Sequence, residues 1–189
     1  MVDPGRWTER EAVDGATAVL ITHEHFDHLD LGHLAATDAS IWTIEAVRRA
    51  IADADPAVAE RVQVLTPGAQ ADVGVPVTVV GERHAVIHPD IPGIDNSGFV
   101  LDVGGTRVYH PGDAFTVPDG PVDLLLLPVQ APWNKLSEVI DFARAVGAPR
   151  NVAVHDGLLS ENGLGFVGEV LGELLGEQSY ERVTPGSDL

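Results

Sequence analysis

Three observations predict an α/β fold in which helices cover the faces of β-sheets. Strand-length apolar runs alternate with helical patterns at both ends of the 189-residue chain. Between them lies a β-rich stretch with a Gly-Gly turn signal, and the first apolar run ends in a cluster of histidines.

Taken in order, Val19-Leu20-Ile21, preceded by Ala16-Thr17-Ala18, reads as a buried strand running into Thr22-His23-Glu24-His25-Phe26-Asp27-His28. Leu31 to Ala36 reads as a short helix and Ile41 to Ile44 as a strand. Glu45 to Ala54 forms an amphipathic helix stopped by Pro56. The period then changes to that of strands at Val75 to Val80, Gly98 to Val103 and Thr106 to Tyr109, and Gly104-Gly105 supplies a tight hairpin between the last two. Alternation resumes with Val122 to Val129, whose unbroken apolar character fits a strand covered on both faces. A helix over Lys135 to Val146, a strand over Asn151 to Val154 and a helix over Gly165 to Leu175 complete the pattern. Gly168, Gly172 and Gly176 recur every fourth residue, but Glu169, Glu173 and Glu177 interrupt the segment. They indicate a helix packed on a sheet rather than a membrane contact.

The length suits one domain over residues 1–189, with no linker or repeat to mark a second. Apolar residues make up 44% and charged residues 21%, an ordinary globular balance that leaves disorder unsupported. Lys and Arg number 11 against 29 Asp and Glu, and the net charge is -18. Such a surface repels polyphosphate, so neither nucleic acid nor an anionic membrane is expected as a partner. A small-molecule substrate is.

Cysteine is absent, which excludes disulfides, thiolate zinc ligands and thiol nucleophiles. Any metal must be held by imidazole and carboxylate. The N-terminus lacks the basic and apolar regions of a signal peptide and no apolar run spans a bilayer, so a cytoplasmic location is expected.

His23, His25, Asp27 and His28 fall within six residues at a strand end. Three imidazoles and a carboxylate gathered there repel one another's protons and lack partners unless a divalent cation is present. His23 and His25 can project to one side, with Asp27 and His28 turned toward a second position.

His23-x-His25-x-Asp27-His28 resembles the signature of the metallo-β-lactamase-fold hydrolases. The resemblance implies a four-layer αββα sandwich, two mixed sheets face to face with helices outside, and further ligands at later strand ends. His84 closes the β-rich run Val80-Gly81-Glu82-Arg83, Asp113 follows His110-Pro111-Gly112, and His155 ends Asn151 to Val154. By resemblance His23, His25 and His84 hold a first metal, Asp27, His28 and His155 a second, and Asp113 bridges them. The segment Pro128 to Trp133 is similar to one in the L-ascorbate-6-phosphate lactonase-like branch. Asp3-Pro4-Gly5 usually follows an N-terminal hairpin in that family, so the first strands are expected to be missing. The exposed sheet edge would then be covered by a loop or by a second subunit.

This ligand set suits two divalent cations, Zn²⁺ first and Mn²⁺ or Fe²⁺ next. The expected reaction is hydrolysis of a small-molecule ester, lactone or phosphoester by a hydroxide shared between the metals. Asp27 orients that hydroxide, and His88 or His110 stabilises the leaving group. The alternatives are an iron-loaded oxidoreductase of the same fold and a non-catalytic, metal-stabilised assembly protein. A secreted antibiotic-cleaving β-lactamase is disfavoured by the lack of a signal sequence.

Overall fold

Two β-sheets meet face to face in the computed structural model, which describes residues 1–184, 186 and 187. The first sheet has three parallel strands, β1 (Ala18–Ile21), β2 (Ser40–Thr43) and β3 (Val62–Val64), in that order. Its crossovers carry α1 (Leu31–Ala35), α2 (Glu45–Ala54) and α3 (Pro56–Ala59). The second sheet has seven strands. They are β4 (Gln70–Asp72), β5 (Pro76–Val80), β6 (Gly98–Val103), β7 (Thr106–His110), β8 (Leu124–Pro128), β9 (Arg150–Val154) and β10 (Ser179–Glu181), arranged in the order β10-β9-β8-β7-β6-β5-β4. It is antiparallel from β4 to β7 and parallel from β7 to β10, with α4 (Leu136–Val146) and α5 (Glu161–Leu174) in its parallel crossovers.

The side-chain period of two decides the layers. On β1, Val19 and Ile21 pack with Leu34, Val47 and Ile51 on the helix side, while Leu20 turns to the opposite sheet and meets Val77, Val79 and Phe99. On the second sheet Val100, Tyr109, Leu125 and Leu127 form the core against Val139, Phe142 and Leu171 of α4 and α5. Three apolar layers between four structural ones make the αββα sandwich. The hairpin falls where Gly104 and Gly105 allow it, at φ 61° and 89°.

Several elements lie beyond the sequence reading. Helix α5 begins at Glu161, four residues earlier than Gly165, because the Ser160 hydroxyl caps it by accepting from Gly163 N. Strands β3, β4 and β10 have three residues each, none of them fully buried, so their apolar pattern is weak. Pairing with β2, β5 and β9 forms them. The expected bare edge of the first sheet is occupied by Met1 to Asp3, which runs parallel to β1. Leu20 N donates to Met1 O and Asp3 N donates to Leu20 O, each at 2.9 Å. Of the three glycines spaced by four, only Gly168 has a neighbour, the Tyr180 ring of β10 at ordinary contact distance, while Gly172 and Gly176 face open space, so the repeat is not a close-packing seam. Among the described residues no helix is long and apolar enough to cross a membrane.

Candidate metal centre

The C-terminal ends of strands from both sheets converge on one cluster. His23 leaves the end of β1, Asp113 follows β7 through the His110-Pro111-Gly112 turn, and His155 leaves the end of β9. His84 stands four residues after β5. The ligand-type atoms of His23, His25, His84 and Asp113 lie within 4.8 Å of one another, and so do those of Asp27, His28 and His155. All seven residues expected as ligands are thus brought together, with Asp113 falling in the first group by this distance.

Each buried ring is anchored through one nitrogen and offers the other. Thr22 Oγ1 accepts from His23 Nδ1 at 2.9 Å and donates to Asp3 Oδ2 at 2.7 Å. His28 Nδ1 donates to the same Asp3 Oδ2 at 2.8 Å, His84 Nδ1 to Ala85 O at 2.5 Å, and His155 Nδ1 to Gln130 O at 2.6 Å. These acceptors hold the Nδ1 proton of each ring and turn Nε2 inward, so that Nε2 is the atom each ring can offer to a cation. His25 is half-buried, its Nδ1 3.1 Å from His23 Nε2.

Asp113 sits between the groups. Its Oδ2 lies 3.4 Å from His84 Nε2, while Oδ1 lies 3.2 Å from His28 Nε2 and 3.4 Å from His155 Nε2. Asp27 Oδ2 is 3.4 Å from His155 Nε2 and 3.8 Å from His28 Nε2. Four buried atoms here, Nε2 of His28, His84 and His155 and Oδ1 of Asp113, have no hydrogen-bond partner. Orphaned buried groups of this kind cost roughly 1–3 kcal/mol apiece, and cations between them would satisfy all four. Imidazole with carboxylate is a donor set that divalent metals accept.

The electrostatics express the same convergence. Burial alone would lower His28 and His155, but Asp3 and Asp113 on the former and Asp113 and Asp27 on the latter outweigh it and raise both to about 10. Burial would raise Asp113, yet the imidazoles of His155, His28 and His84, each with Nε2 within 3.4 Å of its carboxylate, hold it well below the usual carboxylate range. His23, buried and next to His28, is pushed well below its ordinary value.

Sequence reasoning missed the residues that hold these ligands. Asp3, whose carboxylate also accepts from Thr22 N at 2.8 Å, is one. Asn96 Oδ1 accepts from Asp113 N at 3.0 Å, and Trp133 Nε1 donates to Asp113 Oδ2 at 2.8 Å. Among the described residues only Asp3 and His155 carry a positive φ without being glycine, at 47° and 59°. Strain of this sort concentrates where a site overrides backbone preference. Gly5 and Gly112 permit the close approaches around it. A Cβ on Gly5 would lie 1.8 Å from Asp27 O, and one on Gly112 2.3 Å from Asn96 Oδ1. The signal in the sequence was Asp-Pro-Gly and Pro-Gly-Asp, polar turn residues where the chain has a choice of position.

The two histidines expected near the chemistry part company. His110 is buried and lines the cavity over the cluster. Its Nδ1 accepts from Gly112 N at 3.1 Å, leaving an Nε2–H, and burial lowers its affinity for a further proton. His88 is exposed and turns to its own loop, its Nδ1 accepting from Asp90 N at 3.1 Å, and it does not line that cavity. The local turn captures it before it can reach the cluster.

The Beta-lactamase superfamily domain matches residues 1–155, and the chain belongs to that family. Protein Rv0786c of Mycobacterium tuberculosis is 37% identical over 176 residues, covering 88% of this chain and 79% of that one. A UPF0173 metal-dependent hydrolase of Thermococcus onnurineus is 29% identical over 124 residues, covering 60% of this chain and 54% of that protein, about half its length. Among solved structures, a candidate metal-dependent hydrolase of Parabacteroides distasonis superposes with a TM-score of 0.73 at 24% identity, covering 96% of this chain and 82% of that one. An isothiocyanate hydrolase from Delia radicum gut bacteria does so at 0.62 and 17%, with 96% and 78% covered. These likenesses establish the metallo-β-lactamase fold for this chain.

Proposed function

We propose that the chain is a dinuclear metal-dependent hydrolase that cleaves an ester, lactone or phosphoester bond of a small molecule. The observation that carries this reading is the set of four buried atoms, Nε2 of His28, His84 and His155 and Oδ1 of Asp113, that crowd together without a hydrogen-bond partner. In this reading His23, His25 and His84 hold one cation and Asp27, His28 and His155 the other. Asp113, which stands between the two groups, would serve both. When bound, two such cations, zinc foremost, make hydroxide available near neutral pH and polarise the substrate oxygen.

The protein's own groups do the rest. Asp27, at the wall of the cavity, accepts the proton of the attacking water and returns it to the departing oxygen. His110 contributes a fixed N–H toward the cavity rather than a transferable proton, since burial keeps its ring neutral. Asp3, Thr22 and Trp133 take no part in bond making; they hold the rings and the Asp113 carboxylate in position. The metal-dependent hydrolase named among the relatives supports the class of reaction.

The test is metal content by plasma mass spectrometry on protein purified without chelator or affinity-tag histidines, followed by a screen of esters, lactones and phosphodiesters. About two zinc ions per chain, and turnover abolished by chelation, are expected. A chain that takes up no metal from added zinc overturns the reading.

A further inference from the structure

The cavity over the cluster, about 260 Å³, has a floor and a rim of different chemistry. Carboxylates of Asp3, Asp27 and Asp113 and the rings of His28, His110 and His155 form the floor, while Val2, Trp7 and Leu158 form the rim. Trp7 is 59% and Leu158 60% exposed, and Phe26, 49% exposed, meets the Trp7 indole edge-on with ring centroids 5.3 Å apart. Water against these side chains is unfavourable, at roughly 25 cal/mol per Å² of apolar surface. A large apolar rim over convergent polar groups is how small-molecule sites are built. The volume lies just below the usual ~300–1,000 Å³, which suits one small molecule.

Charge narrows the choice further. No lysine or arginine lines this cavity among the described residues. Arg6, next to Trp7 in sequence, lays its guanidinium over the Phe26 ring 4.9 Å from the centroid, and Arg182, next to β10, is paired with Asp156 beside His155. An anionic group on the part of a substrate remote from the reacting bond would meet hydrocarbon and carboxylate there. It would lose hydration with no cation in return.

We infer that the cavity takes an uncharged ester or lactone whose non-reacting substituent is apolar and lies against Trp7 and Leu158, with Phe26 bracing the indole. This rests on the hydrolase reading and adds the substrate class to it. The reaction adds water across the acyl C–O bond. Hydroxyl goes to the acyl carbon and the proton to the departing oxygen, giving a carboxylic acid and an alcohol with no change of oxidation state.

The test uses the zinc-loaded full chain with six-membered lactones of rising alkyl length, δ-valerolactone, δ-octalactone and δ-decalactone, and with glucono-δ-lactone 6-phosphate, whose tail is charged. For each methylene buried, kcat/KM is expected to climb about fourfold, the equivalent of ~0.8 kcal/mol. The decalactone should exceed the phosphorylated lactone by at least about tenfold. Equal or faster turnover of the phosphorylated lactone overturns the inference and leaves the hydrolase reading standing. Should no lactone be hydrolysed, the hydrolase reading fails for this bond, and binding decides the inference separately. The unreactive lactam 6-pentyl-2-piperidinone, followed by tryptophan fluorescence, is expected to bind at least about tenfold more tightly than 2-piperidinone, and equal affinities overturn the proposal. Trp7→Ala and Leu158→Ser, both at exposed positions that carry little of the fold, are each expected to flatten the dependence on chain length in turnover and in binding. A slope unchanged in both variants sinks the assignment.

Discussion

Asp3 Oδ2 accepts the Nδ1 proton of His28 at 2.8 Å, across 25 positions of sequence, and the same oxygen receives the Thr22 hydroxyl that orients His23. One carboxylate thereby sets the orientation of a ring in each of the two candidate groups. Asp3→Asn keeps the shape and tolerates the positive φ, but exchanges a charged acceptor for a neutral one. A fall of about 10–100-fold in zinc affinity is expected, with the fold retained, read by competition with a chromophoric chelator and by circular dichroism. Unchanged affinity would remove Asp3 from the site.

Gly5 places its α-carbon where a Cβ would lie 1.8 Å from Asp27 O. Arg6 N donates to Phe26 O and Asp30 N to Pro4 O, so the 3–6 segment and the 26–30 loop cannot separate freely. Gly5→Ala is expected to cost about 1–3 kcal/mol, as overpacking does, and to lower metal affinity along with stability. Chemical denaturation with and without zinc checks both.

In the metal-free chain His28 and His155 bind protons more tightly when folded, with pKa values of about 10 against 6.5 for the free side chain. Their contribution to stability is therefore fully present below about pH 6.5 and is lost as pH rises toward 10. Metal binding has the opposite sign, because both rings must give up those protons to ligate. Melting temperatures should fall across that window for the chelated protein and hold level or rise for the zinc-loaded one. Parallel curves for the two forms would contradict the placement of these histidines as ligands.

Counting metal tests the groups one by one. Asp113→Ala removes the carboxylate shared by both groups and is expected to abolish turnover and lower metal content from about two per chain, with His25→Ala lowering it too. His88→Ala, at an exposed loop position outside the cavity, should leave metal content unchanged. Full occupancy in His25→Ala, measured by plasma mass spectrometry, would break the first group.

The sequence by itself determined the candidate ligands and the order of the main elements. His23-x-His25-x-Asp27-His28 is a local cluster, and His84, Asp113 and His155 each follow a strand whose apolar period is visible in isolation. Helix α2 was legible to the residue, since Pro56 ends its periodicity. Weakly patterned strands were not: β3, β4 and β10 exist because a neighbouring strand offers them hydrogen bonds, which no local window records. Tertiary structure alone decided which further polar residues stand at the candidate metal centre. His88 and His110 look alike in sequence, yet one is held by its own exposed turn and the other is buried against the Asp3 carboxylate, Nε2 to Oδ2 at 4.0 Å. Asp3, Asn96 and Trp133 reach the ligands only after chain segments far apart are packed together. Orientation of a ring by its second nitrogen depends on distances of a few ångströms between such segments, and spacing along the chain carries no information about them.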